Sequence, residues 1–210
     1  MDHNHAHAPA GDVPRDLHRN PTDFSDYLQR LENPERDAWQ KPDDLVAALR
    51  LRPGQVVCDV GTGPGYLALR MARAVGEGGH VFAVDVEPRM LEVLVQRLSA
   101  SGTRNVTPVL ATPADPLLPP ASCDLALAVN TFHHFPDLAA YLRRLATCLK
   151  PGGRIVNVDF HKQDLPVGPP TDHKLSREVF LEQGKAAGLV LAEESGFLPY
   201  QYFLALRPAA

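Results

Sequence analysis

One repeated order narrows the folds open to this chain: a short apolar run, a turn, then a stripe of apolar residues at helical period. The first instance is QVVCDV, residues 55–60, almost unbroken in apolar character and carrying one charge, Asp59. A run of this kind suits a strand buried on both faces. Leu67, Met71 and Val75 follow at i, i+4 and i+8, the stripe of a helix that GEGG stops. HVFAVDV repeats the strand, and EPRMLEVLVQRLSASG repeats the helix, with Pro88 near its start, Leu91, Leu94 and Leu98 inward and Gly102 after its end. NVTPVL reads as a weaker third strand, and its Pro108 points to a sheet edge. The proline-rich stretch 112–120 is a loop, DLALAVN a fourth strand, and PDLAAYLRRLATCL a helix bearing Leu138, Leu142, Leu145 and Leu149. KPGG is expected to turn the chain into a fifth strand, RIVNVDF. A last helix is expected near 176–187, followed by two strands, LVLAEES and QYFLALR.

Strands alternating with helices imply right-handed crossovers and a mostly parallel sheet covered on both faces, and a strand–loop–strand ending implies an antiparallel pair at one edge. The expected fold class is therefore α/β, a Rossmann-like three-layer sandwich with seven strands, the last antiparallel. At 210 residues the chain suits one such domain, expected at 51–210. Ahead of it stand a helical segment at 23–50, broken by Pro34, and a polar tail at 1–22. His3, His5 and His7 alternate in that tail; metal binding there is conceivable, but a solvated tail is the simpler reading, so no metal site is expected.

Net charge is −4 with no basic run, which does not suggest capture of nucleic acid or of an anionic membrane. The apolar segments are too short to span a bilayer, and the first residues hold no apolar h-region. Cys58, Cys123 and Cys148 are scattered and lack metal-ligand spacing, so reduced thiols and a cytoplasmic location are expected. Cys58 and Cys148 read as core residues; Cys123 is expected in a loop.

The loop after the first strand, GTGPG, opens a helix at the sheet end where α/β folds bind ligands. Its glycines, Gly61, Gly63 and Gly65, are spaced GxGxG, not the dinucleotide GxGxxG, and Tyr66 occupies the place of the third glycine in that pattern. Asp59 just before the loop suits a ligand carrying an ammonium group better than a diphosphate. Asp85 ends the second strand, where a carboxylate can accept bonds from both ribose hydroxyls.

VCDVGTGPGY, VFAVDVEPRML, DLALAVNTFHHFPD and LKPGGRIVNVDF, in that order and spacing, resemble the motifs of class I S-adenosylmethionine-dependent methyltransferases, above all the small-molecule group that includes quinone-biosynthesis and arsenite enzymes. The resemblance runs strongly over 45–160, and the terminal hairpin agrees with the antiparallel seventh strand of that fold. It implies S-adenosylmethionine as cofactor and a small-molecule methyl acceptor, with no nucleic-acid or membrane partner, acting as a monomer or homodimer. It implies that Gly61, Thr62, Gly63 and Gly65 line the methionine part near Asp59, that Asp85 holds the ribose and Val86 packs on the adenine. Many relatives carry an acid after the third strand that bonds the adenine amine; here Thr112 stands in its place, so the contact passes to Thr112 or Asp115. Asn130 would face the methionine moiety and the methyl. NTFH replaces the (N/D)PPY-like motif of DNA amino-methyltransferases, and two cysteines that read as buried argue against arsenite chemistry.

The acceptor side is less determined by sequence. His133 and His134 are candidates for a general base or substrate contact, against the simpler reading that they shape a turn before the Pro136 helix. Asp159 and His161, ending the fifth strand, are candidate substrate contacts. Trp39 either belongs to an N-terminal lid, as in many relatives, or plugs the core. A non-catalytic cofactor-binding module and a nicotinamide-dependent oxidoreductase are the alternatives.

Overall fold

The computed structural model describes residues 23–209; the His3, His5 and His7 tail lies outside them. Three short helices lead in: α1 (Phe24–Leu31), α2 (Arg36–Gln40) and α3 (Pro42–Ala48). They are followed by β1 (Val56–Val60), α4 (Ala68–Val75), β2 (His80–Asp85), α5 (Pro88–Ser101), β3 (Val106–Leu110), β4 (Cys123–Val129), α6 (Leu138–Thr147), β5 (Leu149–Phe160), α7 (Arg177–Ala186), β6 (Leu189–Ser195) and β7 (Gln201–Pro208). The seven strands form one sheet in the order β3-β2-β1-β4-β5-β7-β6. β1 to β5 pair in parallel, and β7 runs antiparallel to both β5 and β6. The chain winds outward from β1 to β3, then crosses back to lay β4 on the other side of β1. Ligands of open α/β sheets bind at this switch, beyond the carboxyl ends of the strands.

Alternation along each strand sends neighbours to opposite faces. Val57, Leu125, Leu127 and Val156 pack with α3, α4 and α5, whereas Cys58, Ala126, Ala128 and Ile155 pack with α6 and α7. Leu67, Met71 and Val75, and Leu91, Leu94 and Leu98, are buried as their spacing predicts. α3 and its C-cap contribute Leu45 and Leu49, both fully buried, to the first of these cores; α1 buries none of its residues. Pro108 is accommodated because β3 is an edge strand with one side unpaired.

Two expectations are corrected. KPGG does not end a helix and turn into a strand: β5 already starts at Leu149, and Lys150–Gly153 bulge out opposite the single residue Asp124, where the register steps from Cys123↔Leu149 to Leu125↔Arg154. The bulge is held by Lys150 Nζ, which donates to Asp124 Oδ2 at 2.8 Å, the same oxygen that accepts the Val56 N–H. Cys123 is not in a loop but is the first residue of β4 and fully buried, like Cys58 and Cys148. Among the described residues no helix is long and apolar enough to cross a membrane.

Candidate functional site: a cavity at the strand switch

A cavity of about 400 Å³ lies at the carboxyl ends of β1, β2, β4 and β5, beneath α1 and α2. At one end is the glycine loop. Gly61 and Gly65 both hold left-handed backbone, at φ +69° and +89°, and serve different neighbours. A Cβ on Gly61 would come within 2.4 Å of the Thr131 side chain, so its absence lets the loop pass under the β4 exit. A Cβ on Gly65 would strike Leu94 at 2.5 Å; this glycine seats α4 against α5 and, contrary to expectation, does not line the cavity.

The loop amides are already engaged. Gly61 N and Thr62 N donate to Val84 O, and Gly65 N to Thr62 O. Gly63 N donates to Asp85 Oδ2 at 2.7 Å, while Asp85 Oδ1 accepts the Glu87 N–H at 2.9 Å. Burial raises the Asp85 carboxyl above its ordinary range, against these backbone bonds. A pyrophosphate-binding turn offers free N–H groups to its anion; here they are satisfied within the protein, and two carboxylates stand beside them.

Asp59 is 3% exposed and accepts a hydrogen bond from Thr62 Oγ1 at 2.8 Å. Burial pushes its carboxyl up to about 6; the Thr62 bond opposes this, the nearby Asp85 charge adds to it, and Arg36 opposes it. Arg36, which the sequence did not single out, reaches in from α2. Its guanidinium lies 4.1 Å over the Tyr66 ring and donates to Leu31 O at 3.1 Å. Tyr66 in turn donates to the Asp37 carboxylate. α1 is fastened to α5 by the Glu32–Arg97 pair and by Arg89 over the Phe24 ring, which puts Tyr27, Arg30 and Leu31 at this same end.

Between the two ends lies a closed ring of three amides. Gln40 Nε2 donates to Gln201 Oε1 (2.7 Å), Gln201 Nε2 to Asn130 Oδ1 (2.6 Å) and Asn130 Nδ2 to Gln40 Oε1 (3.2 Å). It ties α2 to the exit of β4 and the start of β7. Asn130 lines the cavity as expected, but its side-chain amide is engaged with Gln40 and Gln201. Gln40 and Gln201 are fully buried, so Gln201→Ala leaves the Gln40 amide N–H and the Asn130 carbonyl without that partner. The expected cost is about 1–3 kcal/mol, a fall of several degrees in Tm. Denaturant unfolding of both proteins checks it, and an unchanged midpoint would show that the ring does not hold α2 down.

At the other end, Phe132 plugs an aromatic cluster with Phe135, Tyr141 and Phe180, which anchors the short 3-10 turn Phe132–His134. His133 Nδ1 lies 3.0 and 2.9 Å from the two carboxylate oxygens of Asp159, which also accepts the Phe160 N–H at 2.8 Å. Asp159 is fully buried, does not line the cavity and stands behind His133. His134 lines the wall, its ring 4.1 Å from that of His133. Trp39 packs at 5.4 Å on Phe160, and Gly168 and Pro169 complete this end.

Three more of the expected site residues lie off the cavity. Thr112 and Asp115 bridge each other in a turn, and Asp115 pairs with Arg144 at 2.9 Å, so neither lines the cavity; Ala111 and Pro113 do. His161 also lies off it, its N–H donated to Tyr200 O and its ring against Tyr202. Val86 does line the wall, next to Glu87 and Met90.

Residues 57–153, which hold the glycine loop, both carboxylates and the histidine turn, match the family model of a methyltransferase domain. Over these residues the chain is similar to S-adenosylmethionine-dependent methyltransferases. It is 36% identical over 104 residues to the nocamycin O-methyltransferase of Saccharothrix syringae, spanning 50% of this chain and 37% of that protein. It is 37% identical over 112 residues to the ubiquinone/menaquinone biosynthesis C-methyltransferase UbiE of Vibrio vulnificus, spanning 53% of this chain and 43% of the relative. The chain thus spans less than half the length of these two relatives. The crystal structure of a SAM dependent methyltransferase from Aquifex aeolicus superposes with a TM-score of 0.82 at 24% identity, over 86% of this chain and 96% of that one. The superposition shows that the two chains share a fold. S-adenosylmethionine is the cofactor of such a domain.

Proposed function

We propose that this chain moves the methyl group of S-adenosylmethionine to a small-molecule acceptor by in-line displacement. The observation that carries the reading is a single cavity that joins a buried, cation-seeking carboxylate end to a histidine–carboxylate pair. S-adenosylmethionine fits the first end on physical grounds. An unpaired buried carboxylate is costly, and a ligand ammonium group beside Asp59 relieves that cost. Arg36, the guanidinium nearest Asp59, takes the ligand's carboxylate. Asp85 accepts from the ribose hydroxyls, and Val86, Met90, Ala111 and Pro113 pack around the base. The sulfonium supplies the electrophilic methyl.

The remaining work belongs to the protein. α1 and α2 cover the strand ends and exclude water, while Leu45 and Leu49 keep α3 in the core, so the lid is the part of 23–50 ahead of α3. Asp159 holds the Nδ1–H tautomer of His133, and Nε2 is the nitrogen left to take a proton. Holding the acceptor in line behind the methyl removes roughly 7–11 kcal/mol of barrier through orientation. This pairing supports turnover over a silent binding module, and the engaged loop amides weigh against a dinucleotide. The reading places the protein in the cytoplasm, as its three free cysteines suit. It acts there as a monomer or homodimer, on a free metabolite and not on nucleic acid.

Calorimetry with S-adenosylmethionine, S-adenosylhomocysteine and NAD tests the cofactor, and transfer of labelled methyl to a metabolite panel tests turnover. Tight binding of NAD alone would overturn the first; tight cofactor binding with no labelled product from any acceptor would favour the module. Asp85→Ala should weaken S-adenosylhomocysteine binding by about 1–3 kcal/mol, and an unchanged Kd would remove Asp85 from the ribose.

A further inference from the structure

The cavity sorts its charges. Asp59, Asp85, Glu87, Arg30 and Arg36 all stand at the glycine-loop end or in the helices over it. The opposite end is formed by Trp39, Phe160, Phe135 and Pro169, with His133 and His134 set into that wall. The Phe160 ring lies between Trp39 on one side and Gly168 on the other; a Cβ on Gly168 would come within 2.8 Å of it, so that glycine, at φ +90°, lets the loop press on the ring.

Among the described residues no carboxylate and no lysine side chain lines that end. A protonated amine finds no carboxylate to pair with, because Asp159 is fully buried with both oxygens on His133. A carboxylate needs a cation, yet the nearest lysine, Lys174, stands on Phe160 with its ammonium donated to Gln163 O at 2.8 Å and does not line the cavity. What the wall does offer is flat aromatic surface and, with Nδ1 held by Asp159, an imidazole nitrogen that accepts a proton.

We infer that the methyl acceptor is a neutral, planar, hydroxyl-bearing molecule that stacks against Trp39 and Phe160 and is methylated on oxygen as His133 removes the hydroxyl proton. This inference rests on the methyltransferase reading. In the step, the O–H bond breaks and its proton passes to His133 Nε2. The oxygen forms a bond to the methyl carbon as the carbon–sulfur bond breaks, its electron pair staying on sulfur. Charge is conserved: the sulfonium becomes a thioether and the imidazole an imidazolium, which later returns its proton to water.

The test begins with calorimetry of S-adenosylhomocysteine, because absent binding there defeats the parent reading and not this one. With binding established, 2-naphthol, 2-naphthylmethylamine and 2-naphthoate share one ring system and differ in the acceptor group and its charge. A hydroxycoumarin and a hydroxyanthraquinone extend the hydroxyl series. The expected product is the methyl ether, identified by mass and by fragmentation, with kcat/KM for the hydroxyl series at least ~100-fold above the amine and the carboxylate. Trp39→Ala should raise KM for the best hydroxyl acceptor about tenfold with S-adenosylhomocysteine affinity unchanged. A better amine or carboxylate, a methyl group on carbon, an unchanged KM in Trp39→Ala, or no ether from any hydroxyl compound while the cofactor binds would each overturn it.

Discussion

His133→Asn is expected to lower kcat by about 10²–10⁴-fold, the usual worth of a positioned general base, while S-adenosylhomocysteine binds within twofold of the parent chain. The split follows from position. His133 lies across the cavity from Asp59 and Asp85, so its loss leaves the cofactor end intact. The ring is held at Nδ1 by both Asp159 oxygens, and its turn is anchored separately by Phe132 in the aromatic cluster. Asparagine therefore removes the proton acceptor without unpicking the turn. Asp159→Asn is the complementary change: an amide can present its N–H to Nδ1 and reverse the tautomer, so Nε2 becomes a donor. Asp159 acts through His133, and its loss should reduce kcat with KM little changed. Raising the pH should recover part of the His133→Asn activity, because a weakly acidic hydroxyl ionises without help. A structural role would not produce that recovery. Full turnover in His133→Asn would return the histidine to turn-shaping alone.

The parts of this architecture that were readable in the sequence are those whose physics is local. Each buried strand is an apolar run, each helix a stripe, and Asp59 and Asp85 stand out because a charge ends an apolar run. What escaped depends on where side chains meet. Gln40 and Gln201 are 161 positions apart and bond to each other in the interior, and neither sits in a pattern that marks it. Arg36 is one basic residue in a polar helix; only the approach of α2 to Tyr66 makes it a half-buried cation. Thr112 and Asp115 were misplaced for a related reason. Chain position brought them to the right strand end, but Arg144, from α6, captures the carboxylate and turns it away. KPGG has the composition of a turn, and the same residues serve equally well as a bulge once Asp124 holds Lys150. Strand alternation gives Asp159 a face but not the partner that waits on it, His133.

The second large effect is a coupling between cofactor binding and a proton on Asp59. In the free protein this carboxyl is raised to about 6, chiefly by burial. A ligand ammonium group beside it favours the ionised form and lowers that value, so binding below about pH 6 releases a proton. Affinity for S-adenosylhomocysteine is therefore expected to fall about tenfold between pH 7 and pH 5 and to level off above pH 7. The groups facing Asp59 are Asp85, Thr62 and Arg36. Asp85 is raised as well, so Asp85→Asn serves as the control that separates the two carboxylates, while the guanidinium holds its charge throughout. Asp59→Asn should flatten the profile and weaken binding at pH 7 by about 2–3 kcal/mol, as expected for losing one partner of a buried charge pair. The free protein should show the opposite trend in stability. Between the ordinary value of 3.8 and about 6 the folded state holds the Asp59 proton and the unfolded chain does not. Stability from this group is therefore full at low pH and declines as pH rises through that window, by roughly 3 kcal/mol in all. Cofactor should restore much of that loss, and Asp59→Asn should never incur it. Calorimetry in buffers of different ionisation enthalpy counts the released proton directly; a count of zero near pH 6, or a pH profile unchanged in Asp59→Asn, would separate the ammonium group from this carboxylate.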